Sequence, residues 1–350
     1  MRLALLAIFP LAICYAGKQE DIPPPKSSKN PPPYDADLFR REEQVISIDA
    51  EFLFWRVQEG CLDYALVMNH TAWGPALTNN YAQGKLWPQT WSGEPGFRLT
   101  LSFFRAPKMW EIMASYTRMT GRGSSHISKP TPSQNYLTGT WPQIIPVLSS
   151  AKSRIHLNYN LFDLQVDRFF NPNPHMRLRL MAIGSLAWMD QNWVFEYFDA
   201  QSDRTKTQNR WEYTAGGLKT GFMVDWFWCY DVYMTLKGIA GGYLGMYSNR
   251  AYQNTTYPTV NATPGVPFRN ASYSDVRAAF NFQISVGPSW QRSTANNRFE
   301  VFAGYELNGW LNLHEVYRST AGAASDAKET LINSSMLALQ GLTTRFTVDF

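Results

Sequence analysis

The sequence predicts an all-β fold, a single antiparallel transmembrane β-barrel of about ten strands, with roughly 8–12 compatible with the pattern. Three observations predict it. Apolar and polar residues alternate with a period of two in run after run from residue 45 to the end, and only a strand points successive side chains to opposite faces. The links between those runs are alternately short and long. The closing stretch 341–350 puts Leu342, Thr344, Phe346, Val348 and Phe350 on one parity, with Gly341, Thr343, Arg345, Thr347 and Asp349 on the other. A tilted strand needs about ten residues to cross a bilayer.

Of the 350 residues, 45% are hydrophobic and 15% aromatic, with 13 Trp and 18 Tyr. Beyond the amino terminus no apolar run reaches the ~18 residues of a membrane helix, which excludes a helical membrane protein. Amphipathic rings in such number suit sheets and interfaces, where one side is dry and the other wet. The net charge of +4 is modest and unclustered, so nothing points to nucleic acid.

Residues 1–16 read as a secretory signal peptide. Arg2 gives the positive start, 3–13 the apolar core, and Ala16 with Cys14 a small-residue cleavage site. Acylation of Cys14 fits less well, because Ile13 before it is large. Cleavage leaves Cys61 and Cys229, too few for a disulfide framework. The stretch 17–44, with prolines at 23–25 and 31–33, reads as an extended periplasmic tail that cannot bury a core. The barrel is assigned to 45–350.

The first strand is read over 45–68, with Ile46, Ile48, Ala50, Phe52 and Phe54 against Ser47, Asp49 and Glu51, and a bulge at Gly60. Phe97, Leu99, Leu101 and Phe103 make the second; Trp110, Ile112, Ala114 and Tyr116 the third. In the fourth, Ile155, Leu157, Tyr159 and Leu161 oppose His156, Asn158 and Asn160, and the parity changes near Phe162, which reads as a bulge or a misjudged strand end. Leu178, Leu180, Ala182, Leu186 and Trp188 carry the fifth, Leu218, Phe222, Val224 and Trp226 the sixth, and Val232, Met234, Leu236, Ala240 and Leu244 the seventh. The eighth sets Val276, Ala278, Phe280, Phe282, Ile284 and Val286 against Arg277, Asn281, Gln283 and Ser285. Phe299, Val301, Ala303, Tyr305 and Leu307 form the ninth, and 341–350 the tenth.

Links at 105–108, 171–174, 227–230 and 291–297 are short; those at 69–95, 119–153, 191–209, 249–274 and 313–337 are long. Short periplasmic turns and long extracellular loops are the outer-membrane barrel arrangement, and they place the chain in a bacterial outer membrane. A water-soluble sandwich has no reason to sort its loops this way. Aromatics fall beside both sets of links. Phe103, Trp110, Trp226, Trp228, Tyr230, Trp290, Phe299 and Phe350 lie at the periplasmic end, while Trp55, Tyr116, Tyr159, Trp188, Tyr213, Tyr247 and Trp310 lie near the outer end. They read as two girdles at the two interfaces.

A sheet in lipid must satisfy its backbone by closing. The apolar parity then faces lipid and the polar parity the lumen. The expected lumen-lining residues are Asp49, Glu51, Arg98, Glu111, Arg177, Arg179, Lys219, Asp225, Lys237, Arg277, Glu300, Glu306 and Arg345, with Asp349 on the same parity. Either they line an aqueous path for small polar solutes, or they pair and fill the interior. At about eight strands side chains fill a barrel, and at about 16–18 a channel remains.

Several stretches together carry a family resemblance. They are ISIDAEFLFWRVQEGCLDYAL (46–66), EPGFRL (94–99), LNYNLFDLQVDRFF (157–170), the apolar run from there to Trp188, and LQGLTTRFTVDF (339–350). In these the chain resembles the Legionella-type pore-forming major outer membrane protein family, with MOMP-like members in environmental chlamydiae. The resemblance implies a signal-bearing barrel with porin-like passage of small hydrophilic solutes or ions, and it brings no catalytic residues. Phe346, Val348 and Phe350 are the expected insertion signal for the barrel-assembly machinery. Outer-membrane lipid is the other expected partner, a homo-oligomer is compatible, and no cofactor is implied.

Five histidines, His70, His126, His156, His175 and His314, are scattered without metal-ligand spacing. His314 beside Glu315 in the last outer loop is the nearest approach to an acid–base pair, so a hydrolase with a site at the barrel mouth is the alternative enzyme reading. A closed-lumen barrel serving as adhesin or coat is the third. Cys61 and Cys229 fall at opposite ends of the barrel, about 30 Å apart, beyond the reach of a disulfide.

Overall fold

The computed structural model describes residues 44–68, 84–105, 109–131, 136–141, 148–173, 175–200, 203–229, 231–256, 267–294, 297–319 and 330–350. The expected signal peptide and proline-rich tail lie outside them. Among the described residues thirteen strands form in chain order: β1 (Gln44–Glu59), β2 (Asp63–Met68), β3 (Gly84–Pro88), β4 (Gly93–Arg105), β5 (Trp110–Ser128), β6 (Tyr136–Gly139), β7 (Ser150–Asn173), β8 (Met176–Phe198), β9 (Arg204–Cys229), β10 (Val232–Thr256), β11 (Pro267–Ser293), β12 (Arg298–Ser319) and β13 (Thr330–Asp349).

Ten of them close into an antiparallel barrel in the order β1-β13-β12-β11-β10-β9-β8-β7-β5-β4, as the alternation predicts. Closure runs through β1, which pairs with β13 from Ser47↔Asp349 upward and with β4 from Gln44↔Arg105 upward. No backbone edge of the ring is left open to lipid. The four links read as short all lie at the end that also holds the start of β1 and the end of β13, the periplasmic end of the sequence reading.

Two boundaries of the sequence reading are corrected. The first strand stops at Glu59, where Gly60 and Cys61 break it (Cys61 has φ 60°), and 63–68 belongs to a separate three-stranded sheet, β3-β2-β6. Most of the predicted outer loops are strand: β8 and β9 run on to leave only 199–203 between them, and β11 reaches 27 residues. Crossing the membrane takes about 9–11. The barrel therefore continues well past the lipid as a turret.

This extension explains the second kind of error. Along each long strand the apolar and polar faces exchange sides at the outer membrane boundary. Below it Phe162 and Leu164 of β7 face out at 38% and 52% exposure; above it Leu161, Tyr159, Leu157 and Ile155 face in and are buried. The register β7–β8 is unbroken from Ser150↔Phe198 to Phe170↔Leu178, so no bulge exists at Phe162. Inside lipid the outer face must be apolar; in water the outer face is wet, and the inner face packs as an ordinary core. Trp55, Tyr159, Tyr213, Tyr247 and Trp310, expected in the outer girdle, are accordingly buried in the turret, whereas Tyr116 and Trp188 face out and stack at 6.0 Å. The lower girdle holds: Phe103, Trp110, Trp226, Trp228, Trp290 and Phe350 are exposed on the outer face. Tyr230 lies outside the described residues.

Candidate functional site

The lumen divides into three levels, each set by the residues on the inward parity. At the periplasmic level lies a polar cavity of about 70 Å³, lined among others by Asp49, Glu51, Arg98, Glu111, Arg179, Lys237, Glu300 and Arg345. The five other expected lumen residues also point inward but are sealed in pairs. Arg177 holds Asp225 at 2.8 Å, Lys219 holds Asp163 at 2.8 Å, Arg277 holds Glu315 at 2.5 Å, and Glu306 holds Arg98 at 2.8 Å.

Arg98 and Glu306 form the centre of this level. Arg98 also contacts Glu51 at 2.6 Å and donates from Nε to Thr117 Oγ1 at 2.9 Å. Glu306 accepts further bonds from Gln283 Nε2 at 2.5 Å and the Thr343 hydroxyl at 2.9 Å. This knot joins β1, β4, β5, β11, β12 and β13. Near it Arg345 pairs with Glu300 at 2.5 Å, and Arg298 with Asp349. Two charges taken out of water need such mutual satisfaction, because desolvation otherwise exceeds their attraction.

At the middle level the lumen is bridged. Asn308 of β12 donates from Nδ2 to the Tyr159 hydroxyl of β7 at 3.1 Å. These strands stand five places apart in the ring of ten, whichever way it is followed, so the bond spans the full diameter. Around it, Trp310 packs edge-on to Tyr159 at 6.3 Å and against Tyr243 at 4.7 Å, and the Tyr243 and Ser185 hydroxyls lie 2.6 Å apart. Asn308 and Tyr159 meeting across the bore, with Trp310 and Tyr243 buried beside them, narrow the lumen at this level.

The outer level is an apolar core. Leu53, Trp55 and Val57 from β1, Trp193, Phe195 and Tyr197 from β8, Trp211 and Tyr213 from β9, and Leu337 and Leu339 from β13 form one buried cluster with Tyr64 and Ala65 of β2, Leu137 of β6, and Trp141. Trp141 sits 5.1 Å from Phe195, and the Tyr197 hydroxyl donates to the Tyr64 carbonyl at 2.5 Å. The three-stranded sheet thus packs on the inner wall of the turret and occupies its bore. A lumen polar over its whole height, as the sequence suggests, is not what forms.

His314, expected in the last outer loop, lies on β12 with its side chain fully buried, its Nδ1 against Glu59 Oε1. It faces Glu59 rather than the barrel mouth. Among the described residues no group of His, Cys, Asp or Glu is arranged to hold a metal. The charged cavity residues that sequence reading missed are Asp163, Asp167 and Arg298. The alternation Phe162, Leu164, Val166 already placed both aspartates on the inner parity, and Arg298, between the link 291–297 and the run from Phe299, opens β12. Phe346 and Phe350 face out at 48% and 51% exposure, and the Phe350 amide donates to the Ile46 carbonyl at 2.9 Å, closing the ring at its seam.

A closed antiparallel sheet with an apolar outer belt, aromatic rings at both boundaries and charges inside defines an outer-membrane β-barrel. The chain matches, over residues 41–350, the family described as Legionella pneumophila major outer membrane protein precursor, and it belongs to that family. Among solved structures it is similar to the outer membrane protease OmpT of Escherichia coli (11% identity, 90% of this chain, 99% of that one, TM-score 0.41). It is also similar to a FadL homologue of Pseudomonas aeruginosa (11% identity, 88% and 90% covered, TM-score 0.22) and to the toluene transporter TbuX of Ralstonia pickettii (10% identity, 88% and 89% covered, TM-score 0.19). No curated protein matches.

Proposed function

We propose that this outer-membrane barrel keeps a closed lumen and serves through its protruding turret as a coat or adhesive surface module. The Asn308–Tyr159 bond across the bore carries this reading. The buried aromatic cluster above it supports the same conclusion, since a conducting path needs a continuous column of water. Planar-bilayer recording tests it. The folded wild-type protein is expected to give no discrete conductance steps, and Tyr159→Ala combined with Trp310→Ala to give them. Well-resolved steps from the wild-type protein would sink this reading and return the porin.

The porin reading keeps one supporting observation, the charged cavity at the periplasmic level. On that reading the bridge at Tyr159 opens under voltage, and the steps change ion selectivity in Glu300→Lys. For assembly, the outward-facing terminal aromatic is what the insertion machinery would recognise. Deletion of Phe350 is expected to lower the amount of heat-modifiable barrel in the membrane severalfold; unchanged insertion would count against this.

A further inference from the structure

The outer face of β5 and β7, just above the membrane boundary, carries a cationic sector without matching acids. Phe97, Tyr116 and Trp188 mark the boundary there, as rings 6.1 and 6.0 Å apart in succession. Above them the outward residues of β5 include Arg118 and Arg122, and those of β7 include Arg154 and Lys152, all exposed. Register puts Arg122 opposite His156 and Ser124 opposite Arg154, so Arg122 and Arg154 are diagonal neighbours, at roughly 7–8 Å between backbones.

Among the described residues, no ion pair joins Arg118, Arg122 or Arg154 to a carboxylate. The nearest acids in register are engaged elsewhere: Asp190 accepts from Asn158 at 3.1 Å, and Glu196 pairs with Arg204. Lys152 stands 5.3 Å over the Phe198 ring. Elsewhere on the turret Arg210 pairs with Glu212 at 2.6 Å, and Arg250 donates to the Asn270 side-chain amide oxygen at 3.3 Å. Like charges set this close repel unless an anion lies between them.

We propose that this sector docks the phosphorylated glycolipid headgroup of the outer leaflet, lipopolysaccharide, against β5 and β7. Two features select it. The sector is continuous with the lipid-facing belt, so its ligand is anchored in the same leaflet. Its height also exceeds one phosphate layer: Arg118 lies two residues above Tyr116, roughly 5 Å up a tilted strand, and Arg122 roughly 10 Å higher. A phospholipid presents one anionic layer at the boundary. A headgroup with phosphates on a sugar backbone and acidic sugars above it reaches both, and arginine forks suit its oxygens.

The test uses full-length barrel folded in a neutral detergent and titrated with fluorescent, phosphate-bearing rough lipopolysaccharide. Arg118→Gln/Arg122→Gln/Arg154→Gln is expected to bind about tenfold more weakly, a loss of about 1.4 kcal/mol, and Arg210→Gln/Arg250→Gln to bind like wild type. Raising the salt should weaken the wild-type protein toward the triple variant. Equal binding by the triple variant would overturn the proposal. So would equal binding of dephosphorylated lipopolysaccharide or of phosphatidylglycerol, or displacement by millimolar inorganic phosphate, which would mark a free-phosphate site. Should the triple variant lack heat-modifiable migration, Arg122→Gln and Arg154→Gln singly are each expected to cost about threefold, and no loss in either overturns it equally.

Discussion

Glu306→Ala is expected to destabilise the barrel by about 3 kcal/mol, read from denaturant unfolding of the protein folded in detergent micelles. Glu306 is almost wholly buried and accepts from Arg98, Gln283 and Thr343. Removing it leaves Arg98 with Glu51 as its remaining carboxylate and strips two neutral donors of their acceptor. Each buried group left without a partner costs about 1–3 kcal/mol. The paired substitution Arg98→Met/Glu306→Leu should lose far less than the two single changes together, because it removes both charges at once. The magnitude also tests the interior. In a water-filled bore these charges would behave as an exposed pair, worth about 0–1 kcal/mol. A loss below about 1 kcal/mol would therefore argue for an open, hydrated lumen and against the closed one.

Closure of the barrel was readable because lipid imposes one rule on every strand that crosses it. The row Leu342 and Phe346 of β13 with Phe350 just after it, and the row Val276, Phe280, Ile284 of β11, both face out, as their parity required. Arg98, Glu300, Glu306 and Arg345 were found on the inner face for the same reason. Above the membrane that rule reverses. Ile155, Leu157 and Tyr159 alternate as cleanly as any lipid-facing row, yet they face inward, because period two gives the two faces without saying which is wet. The change at Phe162, read as a bulge or a misjudged end, was the boundary itself. Strand ends were hidden similarly. The outward residues Asp190, Asn192 and Glu196 of β8 look like loop, and only the register of β8 on β9 makes them strand. Asn308 to Tyr159 was beyond reach, because nothing local brings residues 149 apart in sequence together.

Ile284→Arg is expected to cost about 2–4 kcal/mol, the penalty for arginine on the lipid face near the bilayer midplane. The residue is placed there by its own strand. Outward side chains on β11 stay apolar from Val276, 65% exposed, to Trp290, 44% exposed, and Ile284 stands near the middle of that row at 48%. In a soluble protein such exposure would make the change almost harmless, since a surface substitution is usually within about 0.5 kcal/mol. Only lipid against that face makes an exposed isoleucine expensive to charge. Ser274→Arg on the same strand, beyond the apolar row, should lose no more than about 1 kcal/mol. Reversible unfolding from phosphatidylcholine vesicles measures both. Equal costs at 274 and 284 would mean that the outer face has no hydrocarbon depth, and the assignment of lipid to one side of the sheet and charge to the other would fall with it.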